Sequence, residues 1–223
     1  MTDEARAATD LTLDELRVTL APAIADAAVF DGWNDDALVS AAEMDGVDVD
    51  VARLAFPGGP MDMIAAWVAS IDLAMAEALP PASLAAMKIR ERIRSLIEAR
   101  LAAVAGREEA LRRALAIMAM PQNVVRAGKL GWASADAMWR LAGDTATDYN
   151  HYTKRAILAS IYGATLAVFV NDESEGKAET RAFIDRRIDG IMKFEKFKAQ
   201  MLRPSEERFS IARFLGRLRY PVR

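Results

Sequence analysis

Apolar residues recur at helical spacing through most of the chain, and no stretch alternates with period two. Alanine and leucine are frequent and β-branched runs are few, which favours helix over strand. The pattern predicts an all-α fold with helices near 12–30, 34–44, 48–56, 60–78, 82–104, 107–119, 134–142, 145–170, 174–202 and 206–219. Glycine and proline set the expected breaks: Asp31-Gly32, Gly46, Pro57-Gly58-Gly59-Pro60, Pro80-Pro81, Gly106, Gly128 to Gly131, Gly143 and Pro204. Pro22 lies inside the first segment, so that helix bends or begins there. There is no internal repeat and no low-complexity tract.

Segment 156–170 is almost wholly apolar, bounded by Arg155 and Asn171. It falls short of the roughly 20 residues a bilayer span needs and reads as a helix buried on most sides. Ala156, Ser160, Gly163 and Ala167 form a small-residue stripe on it. That stripe suits close packing within the chain or against a second copy.

Charge changes the picture at both ends. Residues 1–60 hold thirteen acids against three bases, while residues 181–223 hold twelve bases against five acids. An acidic head and a basic tail suggest that the tail meets something anionic. After Pro204, Ile211, Phe214, Leu215 and Leu218 share one helical face, with Arg213 and Arg217 beside it. One apolar face flanked by arginines suits a helix lying in a bilayer interface, or one docked on the domain.

Segment 20–64 has a helix–turn–helix order. Asn34 is placed to cap the second helix, Gly46 supplies the turn, and the third helix follows from Asp48. The order is that of the DNA-binding head of TetR-type regulators, but the chemistry opposes DNA. The third helix and its turn carry Asp45, Asp48 and Asp50 against Arg53 alone, and no lysine precedes Lys88. Phosphate contacts need bases, so no nucleic-acid partner is expected.

Several chemistries are excluded. Cysteine is absent, which removes disulfides, thiolate metal sites and cysteine nucleophiles. His151 is the only histidine, so two Glu-x-x-His pairs for a di-iron site cannot be built. No dinucleotide fingerprint, P-loop or Gly-x-Ser-x-Gly elbow occurs. No enzyme, metal or cofactor is expected. The acidic start Met1-Thr2-Asp3-Glu4 reads as neither a secretory signal nor a mitochondrial presequence.

The most distinctive stretch is Met138-Trp139-Arg140-Leu141-Ala142-Gly143-Asp144, continuing through Thr147-Asp148-Tyr149-Asn150-His151-Tyr152-Thr153-Lys154-Arg155. With Met120-Pro121-Gln122-Asn123 upstream and Asn171-Asp172 downstream, it resembles the COQ9 family over roughly 20–220, most specifically over 132–172. The resemblance implies a TetR-regulator-like fold, a homodimer, and a non-enzymatic role in ubiquinone synthesis. It also implies an apolar pocket for an isoprenoid lipid or phospholipid, and a partner hydroxylase that acts on demethoxyubiquinone. The partner-facing patch matches Pro121, Asp136, Trp139, Arg140 and Asp144, with Arg140 a position at which members differ. The short front end suggests a bacterial homologue, cytoplasmic and peripheral to the inner membrane, with eukaryotic relatives in the mitochondrial matrix.

On the residues themselves, Ser134 is placed to cap the helix 134–142, with Met138 and Leu141 inward. Asp144 can cap the next helix, and Asp148 to Lys154 form a polar stretch leading into it. Trp139 points either outward, as an anchor for a partner, or onto its own neighbours. Candidate pocket residues are Met87, Ile97, Leu101, Leu115, Met118, Leu158, Ile161 and Phe169. The expected division is a helix-turn-helix-like part (1–78), a lipid-binding and dimerisation part (79–203) and a membrane helix (204–223).

Overall fold

The structure is a computed structural model that describes residues 11–145 and 149–202, and the side chains of 11–145 and 151–190. The expected helix at 206–219, with Ile211, Arg213, Phe214, Leu215, Arg217 and Leu218, lies outside the described residues. Among those described there are ten α-helices, one 3-10 turn and no strand. They are α1 (Leu13–Ala28), α2 (Asp35–Met44), α3 (Val49–Ala55), α4 (Pro60–Ala78), α5 (Pro81–Ala85), α6 (Ile89–Val104), α7 (Glu108–Met118), α8 (Val124–Leu141), α9 (Tyr149–Phe169) and α10 (Ala178–Leu202). The chain forms two compact units, Met1–Asp185 and Arg186–Arg223, and helices α1 to α9 lie wholly in the first.

Capping chemistry starts the helices of the head. Thr12 and Glu15 form a reciprocal capping box at α1, which then runs through Pro22 without a break. The Asn34 carboxamide accepts from the Ala37 amide at 3.0 Å, and the Asp48 carboxylate accepts from Asp50 and Val51 at 2.8 and 3.2 Å. Gly46 turns the chain between α2 and α3 at φ 66°, a conformation glycine adopts at little cost. The head is bolted to the body behind it. The Trp33 indole donates to the Ala110 carbonyl at 2.8 Å and stacks 5.2 Å from Trp67. The Arg107 guanidinium grips Asp26 with two bonds of 2.5 and 2.9 Å.

The head's surface matches the charge reading. Arg53, the sole base on α3, gives both a 3.1 and a 2.7 Å bond to Asp35 on α2. That hydrogen-bonded pair holds the Asp35 carboxyl below its ordinary range. The face that would meet a duplex therefore offers carboxylates and exposed Val51 and Leu54.

α4 is the central helix. It packs on α1, α6, α7 and α8, burying Met63, Ile64, Trp67, Ile71 and Met75. No single described helix is long and apolar enough to cross a membrane.

Two boundaries differ from expectation. Segment 82–104 is two helices, split at Ala86–Lys88 without glycine or proline. The break is held by Arg92, which donates to the carbonyls of Ala85 (3.0 Å), Met87 (2.9 Å) and Ala142 (2.8 Å). The Glu91 carboxylate accepts from the Lys88 amide at 3.0 Å to start α6. Conversely, the expected break at Gly128–Gly131 is absent, since α8 begins at Val124 and runs through both glycines. Each helical glycine costs about 1 kcal/mol against alanine, and α8's long contact with α9 outweighs it. Ser134 therefore caps nothing. It lies buried in mid-helix.

Candidate functional site

The motif stretch builds the junction where α8 ends and α9 begins. Its hub is Arg155, on the first turns of α9 and 2% exposed. The guanidinium donates to Asp136 at 2.5 Å, to Asp144 at 3.1 Å and to the His151 carbonyl at 3.2 Å. Asp144, with its side chain only 6% exposed, also accepts from Lys154 at 2.6 Å. Burial works against the Asp144 charge, but hydrogen bonds from Lys154 and Arg155 outweigh it and hold the carboxyl below its usual range. Asp144 is thus an ion-pair partner for two bases on α9. The described residues of that helix start at Tyr149.

Trp139 belongs to the same network. Its indole N–H donates to the Lys154 carbonyl at 3.1 Å, and the Lys154 ammonium stands 5.3 Å from the ring centroid. The ring is half-buried, intermediate between the outward and inward readings. Asp136 also receives Arg140 at 2.7 Å, one turn on, while Arg140 itself is 75% exposed. Pro121 is exposed but stands before the start of α8. At about 1.5 Å per residue, it is separated from Asp136 by roughly 20 Å along the axis. The five candidate partner residues therefore do not form one cluster. Asp136, Trp139, Arg140 and Asp144 share the junction, and Pro121 marks the other end of the helix.

Between those ends runs an outward face the sequence reading missed. Val125 is 72% exposed, and Lys129, Trp132, Asp136 and Arg140 follow it at three- and four-residue steps. The Trp132 ring lies 6.1 Å from that of Tyr152 on α9, and Tyr152 is 62% exposed. Exposed Met120 and Val124 extend the apolar surface at the Pro121 end. An outward apolar and aromatic stripe with charges at one end is the composition of a protein-contact surface. Its signal in the sequence was the four- and three-residue spacing of Val125, Lys129 and Trp132, hidden once a break was assumed at the glycines.

Downstream, Asp172 anchors the other end of α9. Its carboxylate accepts from the Ser174 amide and hydroxyl at 2.9 and 2.5 Å, and from the Thr180 amide and hydroxyl at 2.8 and 2.6 Å. Burial opposes the charge, yet these four bonds push the carboxyl far below its ordinary value. The residue fixes the turn into α10.

The candidate pocket residues lie on several elements. Ile97 and Leu101 are buried on α6, and Leu158, Ile161 and Phe169 on α9. Leu115 and Met118 on α7 and Met87 before α6 are partly exposed.

Comparison with known proteins agrees with the motif. Residues 124–195 match the COQ9 family model. The ubiquinone biosynthesis protein COQ9 of Rattus norvegicus is 40% identical over 100 residues, 45% of this chain and 32% of that protein. COQ9-A of Xenopus laevis is 30% identical over 168 residues, 72% of this chain and 53% of that protein. The matches thus span about a third to a half of the length of these mitochondrial relatives. A TetR transcriptional regulator from Nitrosomonas europaea superimposes with a TM-score of 0.62 at 22% identity, covering 78% of this chain and 96% of that one. The expected all-α, TetR-like fold and the COQ9 resemblance are borne out.

Proposed function

We propose that this chain is a non-catalytic accessory protein of ubiquinone biosynthesis. In this reading it binds a prenylated quinone intermediate in its helical body and presents the head group to a partner hydroxylase at a membrane surface. The observation that carries the reading is the match at 124–195, which covers α8, α9 and much of α10 and so includes the outward stripe of α8. An isoprenoid chain is nearly insoluble in water, so apolar helix faces lower the cost of drawing it from the bilayer. Chemistry then belongs to the partner. The basic apolar segment at 206–219 would hold the protein at an anionic leaflet. Where relatives are mitochondrial, this chain is proposed to work in the bacterial cytoplasm against the inner membrane, as a homodimer.

The TetR-like fold suggests a second reading, a regulator that senses a lipid. Its one α3 base is committed to Asp35, and the acidic head would repel phosphates, which argues against it. The test is reconstitution. Hydroxylation of a prenylated quinone in anionic liposomes should rise when this protein is added to the partner di-iron enzyme. Trp139→Lys should remove the increase. No stimulation, together with sequence-specific duplex binding at low salt, would reverse the assignment.

A further inference from the structure

Arg100 sits at the centre of the helical body, 1% exposed, where α4, α6, α8 and α9 come together. Its guanidinium carries five N–H bonds in a fixed planar fork. One terminal nitrogen donates to Asp72 on α4. The other donates to the Ser134 hydroxyl on α8 at 3.0 Å. One face covers the Tyr162 ring on α9, 4.8 Å from its centroid. The inner nitrogen, Nε, is buried and makes no hydrogen bond among the described residues. Buried donors are nearly always satisfied, so such an N–H calls for an acceptor beyond Asp72 and Ser134.

Two features say what that partner is. Asp72 offsets the guanidinium charge, so the remaining donor faces a neutral pair and suits an uncharged acceptor oxygen better than an anion. Asp72 is itself 25% exposed, so the cluster reaches the surface at that side chain while Arg100, Ser134 and Tyr162 stay dry. Ile97 lies one helical turn before Arg100, and Leu158 one turn before Tyr162, both fully buried. A polar donor flanked by aliphatic side chains matches a ligand with an oxygen-bearing head and an apolar tail.

We infer that Arg100 is the head-group donor of a ligand site in this body, and that Nε–H bonds a carbonyl oxygen of a quinone or ester on an apolar chain. Asp72 and Ser134 are positioning residues that hold the fork so that Nε faces the ligand. The inference rests on the lipid-binding role proposed above and names the polar end of that site.

The experiment uses the full chain and two probes with the same tail: decyl-dimethoxy-methyl-benzoquinone, and decylbenzene, which has no oxygen. Wild-type protein is expected to bind the quinone more tightly. Arg100→Lys keeps a charge for Asp72 but lacks the fork. It should weaken quinone binding about tenfold, as loss of a charge-assisted hydrogen bond does, and leave decylbenzene unchanged. Ser134→Ala, which releases one side of the fork, should weaken quinone binding by a smaller factor, about threefold, and leave decylbenzene unchanged. Should Arg100→Lys fail to fold, the buried Nε–H resonance of the wild-type protein decides: the quinone should shift it and decylbenzene should not. Equal binding of both probes by the wild type, or a resonance the quinone leaves in place, overturns the inference and assigns Nε to a buried water. Loss of both probes from wild-type protein instead sinks the lipid-binding reading itself.

Discussion

Replacing Arg155 by methionine takes a buried cation out of the α8–α9 junction and leaves Asp136 and Asp144 facing each other without it. Methionine fills much of the same space, so the cost is mainly electrostatic. Breaking a buried pair by removing one partner costs about 3–5 kcal/mol. The lower end applies here, because Asp136 is partly exposed and keeps Arg140, and Asp144 keeps Lys154. A loss of about 3 kcal/mol should lower the melting temperature by roughly 6–12 °C for a chain of this size. Arg140→Ala is the control. Its side chain is exposed, and it should cost less than about 1 kcal/mol. Urea titration followed by circular dichroism measures both. If Arg155→Met is no more destabilising than Arg140→Ala, the network does not hold the junction.

Acid stability follows from the same carboxylates. Asp144 and Asp172 are held below their ordinary 3.8, so their contribution is complete above that pH and is lost as pH falls through their lower folded values. Burial raises Asp72 against the pull of Arg100, which works in the opposite sense and favours the fold as Asp72 takes up a proton. Stability should therefore hold down to about pH 4 and fall below it, and a steep loss already at pH 6 would contradict this. Val125→Asp, on the outward face of α8, should weaken hydroxylase binding at least tenfold with an unchanged melting temperature, whereas unaltered binding would remove that face from the interface. Truncation after Arg203 should abolish flotation with anionic liposomes, since each arginine near the leaflet adds about 1 kcal/mol, and equal flotation of both forms would end the membrane role of the tail.

What could be read from the sequence was what local chemistry decides. Asn34, Gly46 and Asp48 announce the helix–turn–helix because caps and turns depend on a few adjacent residues. The acidic head is likewise visible as a shortage of bases, whereas the pairing of Arg53 with Asp35 is not. Tertiary contacts escaped. The split before α6 depends on Arg92 reaching carbonyls as far away as Ala142, which no local pattern marks. The glycines in α8 looked like a break because the packing that overrides their cost comes from α9. Arg100 stands in a helix that also carries Arg90, Arg92 and Arg94, so its sequence context is that of a solvated face. Asp136 and Asp144, both in the expected partner patch, also pair with Arg155 and so tie α8 to α9, a contact no local pattern marks.

The central claim is that the helical body carries a prenylated quinone. Native mass spectrometry of the intact chain purified from its own membranes tests it directly, with lipid extraction and tandem spectra to identify the adduct. A stoichiometric isoprenoid quinone or its precursor is expected, retained by the Val125→Asp surface variant. A chain that emerges ligand-free from quinone-replete membranes, and takes up none when mixed with them, would contradict that claim.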